Sequence, residues 1–103
     1  MLDAETLRDF AQKVRQAFPG AQVYGFGSRV RGDATIDSDL DLCVVVPSLT
    51  PAIRDSIWHI AWEIGFERGV VLQTLCYEKE SFESGPHSFS PLVRDVLAHG
   101  IIA

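Results

Sequence analysis

Long apolar runs, basic clusters and cysteine are scarce in this sequence of 103 residues. No apolar run approaches the roughly 20 residues that a membrane-spanning helix needs, and the first residues lack the basic and apolar regions of a signal peptide. We therefore expect a cytoplasmic protein with no membrane contact. The lack of a basic cluster argues against direct nucleic-acid binding through phosphates. The only two cysteines, Cys43 and Cys76, lie in apolar segments, which favours buried thiols over a disulfide.

Negative charge is concentrated in one short segment. Acidic residues outnumber basic ones by 14 to 9, for a formal charge of −5. Residues 33–41 hold four aspartates and no base, so they carry most of that charge and the rest of the chain is nearly neutral. With 47% hydrophobic residues the chain can bury a core. Its length fits a single domain over residues 1–103.

Hydrophobic spacing predicts the secondary structure. Residues 40–46 are apolar on both faces over most of their length, which is typical of a central strand. Thr50 and Ser90 each precede a proline and are predicted to cap helices. The predicted elements are a helix between Asp3, as its cap, and Pro19, strands at 21–26, 40–46 and 70–77, helices at 51–69 and 91–99, and an edge strand at 101–102. This order predicts an α/β (α+β) fold, in which a small mixed β-sheet is packed with helices.

Two features between Gly27 and Asp41 predict chemistry. Gly27 and Ser28 follow a strand in a glycine-containing loop, which lets backbone N–H groups and a hydroxyl approach a phosphate closely. Asp39 and Asp41 begin a buried strand, where alternation turns both carboxylates to one face. A divalent cation relieves their repulsion, and oxygen ligands favour Mg²⁺ together with substrate phosphates. Each feature alone is common in turns and strand ends, but chance explains the combination poorly.

The combination resembles a known signature. Gly27-Ser28, ten residues, then Asp39-x-Asp41 is similar to the motif of the DNA polymerase β-like nucleotidyltransferase superfamily. The pattern Gly-Ser-Arg-x-x-Gly-x-x-x-x-x-Ser-Asp-x-Asp-Leu resembles its smallest members, the minimal nucleotidyltransferases that pair with HEPN-domain proteins. The resemblance extends along the chain to its last helix and implies the polymerase β-like nucleotidyltransferase fold.

The resemblance also implies a reaction and a role for each motif residue. An acceptor hydroxyl would attack the α-phosphorus of a nucleoside triphosphate, with AMP transferred from ATP and pyrophosphate released. In a toxin–antitoxin pair the acceptor would be a tyrosine on the partner toxin. One or two Mg²⁺ ions, or Mn²⁺ in their place, would be the cofactor. The implied nucleotide-binding residues are Gly27, Ser28, Arg29 and Ser38, and the implied catalytic and metal-binding residues are Asp39 and Asp41. Arg31 is a further phosphate contact or a solvated loop charge.

The sequence departs from the superfamily pattern at the third strand. Catalytic members generally place a third carboxylate there, whereas residues 70–76 contain no acid. Gln73 is the polar residue nearest the expected position, and Glu78 would substitute if the register differed. An amide oxygen can bind Mg²⁺ but takes no proton. The alternative function is therefore a catalytically weak, nucleotide-binding antitoxin or regulatory subunit that docks to a HEPN-type partner.

Trp58 and Trp62 lie one helical turn apart, away from the centre of the isoleucine stripe of their helix. Two interpretations remain open. Either the pair marks an interface, with a helical HEPN-type partner or in a homodimer, or another segment of the chain covers it.

Overall fold

The computed structural model describes residues 3–27, 29 and 39–103. The elements in these ranges are helix α1 (Ala4–Ala17), strands β1 (Gln22–Phe26) and β2 (Leu40–Val46), helix α2 (Pro51–Arg68), strand β3 (Leu72–Glu78), helix α3 (Lys79–Glu83), a 3-10 helix (Pro86–Phe89), helix α4 (Pro91–His99) and strand β4 (Ile101–Ile102). The predicted mixed α+β class is confirmed, and the predicted boundaries lie within two residues of those observed.

The four described strands form one sheet in the order β3-β2-β1-β4. Strand β2 runs parallel to β3 and antiparallel to β1, and β4 is antiparallel to β1. The parallel pair is connected through α2. Because β2 is internal and has helices on both faces, every residue of it except Asp41 is buried. This burial explains why its sequence is almost continuously apolar.

A hydrophobic core lies on each face of the sheet. Helices α1 and α2 cover the first face, where alternate residues of β2 such as Leu42 and Val44 pack against Phe10 and Ile57. The shorter helices α3 and α4 cover the other face. The buried residues of this second core are Tyr24, Phe26, Cys43, Val45, Phe82, Val93 and Val96. Strand alternation places Asp41 on the face of the second core.

Local signals in the sequence set the ends of the longer helices. The Thr50 hydroxyl accepts a hydrogen bond of 3.2 Å from the Ile53 amide, which begins α2. Gly69 ends α2 in a left-handed conformation with φ of 67°. The Ser90 hydroxyl accepts from the Leu92 amide at 3.2 Å, which begins α4. Both predicted caps are confirmed.

The two cysteines are free thiols. Cys43 is buried in the second core, and Cys76 is half-buried. Burial raises the pKa of Cys43 from its usual value of 9.0 to about 12, which makes it a poor nucleophile. None of the described helices combines the length and apolar character that crossing a bilayer requires.

Candidate functional site

The two aspartates of the motif lie at the start of the central strand. Asp39 directly precedes β2 and is exposed, and Asp41 is the second residue of β2 and half-buried. Three of the predicted phosphate-binding residues of the loop lie outside the described residues, namely Ser28, Arg31 and Ser38. The structural description of the site therefore rests on Gly27, Arg29, the two aspartates and the neighbouring strands.

Asp41 stands in a row that crosses three strands. Phe26 of β1 is its antiparallel partner, and Gln73 of β3 is its parallel partner. Neighbouring strands lie about 4.8 Å apart, and register partners in a sheet point to the same face. Phe26 is buried in the second core, whereas Gln73 is exposed. The carboxylate of Asp41 is thus positioned between an aromatic ring on one side and an amide on the other.

Gly27 follows β1 and packs directly against the Asp41 side chain. Its φ is +82°, in the left-handed region that favours glycine. A Cβ built on Gly27 would overlap the Oδ2 atom of Asp41. A larger residue would therefore both strain the turn and displace the carboxylate. Gly27 thus has a structural role in the motif, because the lack of a side chain leaves room for the Asp41 carboxylate.

Arg29 is bound to the start of α1. Its Nε donates to Asp3 Oδ2 at 2.8 Å, and its second terminal nitrogen donates to Asp3 Oδ1 at 2.9 Å. The pair is largely shielded from solvent, with side-chain exposures of 16% for Arg29 and 12% for Asp3. Because Arg29 donates these hydrogen bonds to the Asp3 carboxylate, its pKa is raised above the usual value. This bidentate geometry is the strong form of an arginine–carboxylate pair.

The contact corrects one expectation and adds a residue to the site. Asp3 precedes α1, but its side chain accepts no capping hydrogen bond from the helix, because the carboxylate is turned to Arg29. Sequence analysis missed this role because an aspartate before a helix already has a local explanation as a cap. No signal in the spacing links positions 3 and 29. The phosphate-binding role of Arg29 stays a prediction.

The register of β3 decides between the two residues considered for the third position. Gln73 is paired with Asp41, whereas Glu78 is paired with Val46 at the opposite end of β2. That separation is about 16 Å along the strand by the usual rise per residue. The Glu78 carboxylate accepts a hydrogen bond of 3.0 Å from the Leu49 amide. Glu78 as a substitute third carboxylate is therefore wrong.

The side chains present fit a divalent cation that takes some of its ligands from the protein and the others from a substrate. Asp39 and Asp41 supply hard oxygen donors, and Mg²⁺ commonly takes one or two carboxylates plus substrate phosphates. Within residues 3–27, 29 and 39–103 no cluster of three or more His, Cys, Asp or Glu side chains could hold a metal ion. The described part of the site thus offers two acidic ligands, which leaves the other coordination positions to phosphate oxygens and water.

Residues 7–102 match the model of the nucleotidyltransferase domain family. The chain belongs to this family. The match spans nearly the whole domain and includes Gly27, Asp39, Asp41 and Gln73. The predicted resemblance to a minimal nucleotidyltransferase is confirmed at this level. Comparison with curated protein sequences found no significant match.

Solved structures support the fold of this nucleotidyltransferase domain. A toxin–antitoxin structure with AMP-PNP is 20% identical, with a TM-score of 0.62 over 91% of this chain and 69% of that chain. A toxin–antitoxin MntA–HpeT structure carrying two Asp-to-Glu substitutions is 17% identical, with a TM-score of 0.59 over 88% of this chain and 66% of that chain. The domain thus spans about two thirds of the length of these two chains.

A third solved structure also shares the fold. The crystal structure of a candidate nucleotidyltransferase from Sulfolobus solfataricus is 17% identical, with a TM-score of 0.56 over 95% of this chain and 76% of that chain. At identities this low the similarity establishes a shared fold. The polymerase β-like nucleotidyltransferase architecture predicted for the domain is confirmed.

Proposed function

We propose that this nucleotidyltransferase domain transfers AMP from ATP to a hydroxyl group on a partner protein, within a toxin–antitoxin pair. The family supplies the reaction type. The single observation that carries the proposal is the packing of the Asp41 carboxylate against left-handed Gly27, at the start of the central strand. The neighbour solved with AMP-PNP, an ATP analogue, supports a nucleoside triphosphate as donor. We place the activity in the cytoplasm, where thiols such as Cys43 and Cys76 stay reduced.

The proposed reaction is an in-line displacement. An acceptor hydroxyl oxygen bonds to the α-phosphorus while the bond from that phosphorus to the bridging oxygen breaks, and pyrophosphate leaves. Asp39 and Asp41 would hold Mg²⁺, which when bound supplies positive charge to the phosphates. Most of the rate then comes from positioning and charge neutralisation, because such transfers need little covalent chemistry from the protein. Gly27 lets the main chain approach the phosphates without a Cβ in the way.

The proposed reaction also requires a group that takes the proton of the attacking hydroxyl. Gln73 has no group that accepts a proton at neutral pH, and the described residues place no third acid next to Asp41. Because no described residue next to Asp41 can take the proton, we assign it to water or to a group that the acceptor protein brings. This observation favours a second candidate function, in which the domain binds Mg²⁺-ATP but transfers slowly and acts as an antitoxin by docking to a HEPN-type partner.

One labelling experiment separates these functions. The domain is incubated with Mg²⁺, a HEPN-type partner protein, and ATP labelled on either the α- or the γ-phosphate. We expect the α-label to appear on the partner and the γ-label to leave with pyrophosphate. The Asp39→Asn/Asp41→Asn variant serves as the control and should lose the transfer. Calorimetric ATP binding without label transfer would support the docking function, and transfer of the γ-label would refute both.

A further inference from the structure

Three aromatic side chains form an exposed stripe along α2. Trp58, Trp62 and Phe66 recur every four residues and are 54%, 55% and 77% exposed. Residues at this spacing share one helical face. The interpretation that another segment covers the tryptophans is therefore wrong for the described part of the chain. The Trp62 and Phe66 rings are stacked with centroids 5.3 Å apart, so the stripe is a defined surface rather than scattered side chains.

The stripe runs beside an open edge of the sheet. Strand β3 is the outermost strand on its side, and α2 packs over it where Gly65 approaches Leu72. The Leu40 amide donates to the Val71 carbonyl at 2.9 Å, so the main-chain groups of residue 71 face β2. Those groups alternate along a strand. The N–H and C=O groups of Leu72, Thr74 and Cys76 therefore point away from the sheet, where no described strand pairs with them.

Two adjoining cavities follow this edge. One of about 670 Å³ is lined by the successive residues 74–78, and one of about 440 Å³ by residues 70–72. Trp58 lines both cavities. Successive side chains of a strand point to opposite faces of the sheet. A cavity that is lined by several successive residues must therefore lie along the edge of the strand. A trough therefore extends along β3, with the aromatic stripe of α2 on one side.

The edge of β3 lacks the features that normally prevent pairing. Natural edge strands are shortened, bulged, or carry lysine or proline. Strand β3 has seven residues, with neither lysine nor proline among them. Its single charged residue, Glu78, accepts a hydrogen bond from the Leu49 amide. The opposite edge, β4, has only two residues. An edge of this length and composition is expected to be covered in the working protein.

We propose that a second copy of this chain covers the edge, with the two β3 strands paired antiparallel about a two-fold axis. The sheets of the two copies then join into one continuous sheet of eight strands. A two-fold interface brings identical surfaces together, so each surface must complement itself. An antiparallel pair of identical strands satisfies this condition through its main chain. The interface does not depend on the nucleotidyl transfer proposed above.

The aromatic stripe fits the same axis. Three positions at equal spacing are symmetric about the middle one, so an antiparallel pair of α2 helices places the two Trp62 side chains near the axis. Trp58 of each copy then faces Phe66 of the other. The end of the trough carries charges of both signs, from Arg54 on one hand and from Asp55 and Glu78 on the other. One symmetry operation thus pairs the open strands and covers the exposed rings.

The exposed rings offer a large part of the area that a stable dimer needs. Aromatic side chains bury about 150–250 Å² each when fully covered, so these partly exposed rings offer about 300–400 Å² per copy. Standard interfaces bury about 800 Å² per partner. The open edge of β3 and Val71, which is 62% exposed next to the stripe, add further area.

Sedimentation velocity of the full chain tests the proposal. We expect the wild-type protein to sediment as a dimer. Trp62→Glu places a charge near the axis, and Thr74→Pro removes an outward N–H without removing a bond to β2, so each variant should be a monomer. Phe89→Glu is the matched control, because Phe89 is 72% exposed on the 3-10 helix and should leave the dimer intact.

Two outcomes would overturn the dimer. A monomeric wild-type protein across the accessible concentration range excludes it and leaves the trough to a strand of another protein. A Trp62→Glu variant that remains a dimer, with a native circular dichroism spectrum, assigns the association to a different surface. If Thr74→Pro fails to fold, Trp62→Glu alone decides, because an exposed helical position tolerates glutamate.

Discussion

Asp41 of β2 and Gln73 of β3 are register partners in parallel strands, so a carboxylate and an amide stand side by side at the start of the central strand. An amide oxygen can bind a metal ion, but it neither adds negative charge nor accepts a proton. The pairing therefore favours nucleotide binding over activation of the acceptor. It also identifies one position at which a single substitution would place a third acid beside Asp41.

Gln73→Glu should increase nucleotidyl transfer. Glutamate has nearly the same shape as glutamine, and Gln73 is exposed, so the substitution adds a carboxylate beside Asp41 with little change in packing. General-base assistance typically contributes a factor of about 100 or more to a rate, and we expect at least a tenfold increase in kcat, measured by release of pyrophosphate.

The matched control for this substitution is Gln73→Leu, which removes the amide without adding charge and should not increase the rate. The glutamate variant should also bind Mn²⁺ more tightly, because a third carboxylate adds a charged ligand. If Gln73→Glu transfers nucleotide no faster than the wild type, the third strand does not lie where the acceptor reacts.

Most of the fold could be predicted from local sequence signals. The apolar run at 40–46 identified the central strand, and Thr50 with Ser90 identified two helix starts, because caps and burial are properties of adjacent residues. The bond between Asp3 and Arg29 could not be predicted, because it joins residues far apart in sequence and Asp3 has a competing local explanation. The pairing of Gln73 with Asp41 needed the strand register, since a shift of one residue would turn the side chain to the other face.

Mg²⁺ or Mn²⁺ should raise the stability of the folded domain. A cation that binds only the folded state stabilises it by about 2.7 kcal/mol at a hundred times its dissociation constant. The Asp39→Asn/Asp41→Asn variant should gain much less, because it removes both acidic ligands. Thermal unfolding with increasing Mg²⁺, with and without ATP, measures the effect. An equal rise in Tm for the variant and the wild type would place cation binding at another site.

Asp3→Asn should destabilise the domain far more than Asp9→Asn. Asp3 receives two hydrogen bonds from Arg29 in a largely shielded pair, and bonds to charged groups contribute about 1.5–3 kcal/mol each. Asp9 binds Arg68 at the surface, with side-chain exposures of 40% and 32%, where such pairs contribute about 0–1 kcal/mol. We expect a loss of about 2 kcal/mol for Asp3→Asn, measured by urea unfolding. Equal losses for the two variants would mean that the Asp3 contact adds nothing beyond surface charge.

Stability should fall as the pH rises above the pKa of an unfolded thiol. Burial raises the pKa of Cys43 from 9.0 to about 12. Between these values the folded chain keeps the proton and the unfolded chain loses it, so stability present below pH 9.0 is lost towards pH 12. The loss approaches about 1.4 kcal/mol per pH unit for one thiol. Burial also raises the pKa of Cys76, which adds to the decline.

Comparison of the Cys43→Ala variant with the wild-type protein isolates the contribution of the Cys43 thiol to this decline. Cys43→Ala lowers the free energy of unfolding at every pH, because it leaves a small cavity in the second core. It should also flatten the decline above the thiol pKa, whereas Cys76→Ala should flatten it less, because Cys76 is only half-buried. The measurement is urea unfolding at a series of alkaline pH values. Burial also raises the pKa of Tyr24 and Tyr77, so the wild type and both variants share a tyrosine contribution to the decline. Parallel pH profiles for Cys43→Ala and the wild type would mean that the Cys43 thiol ionises as readily in the folded domain as in the unfolded chain.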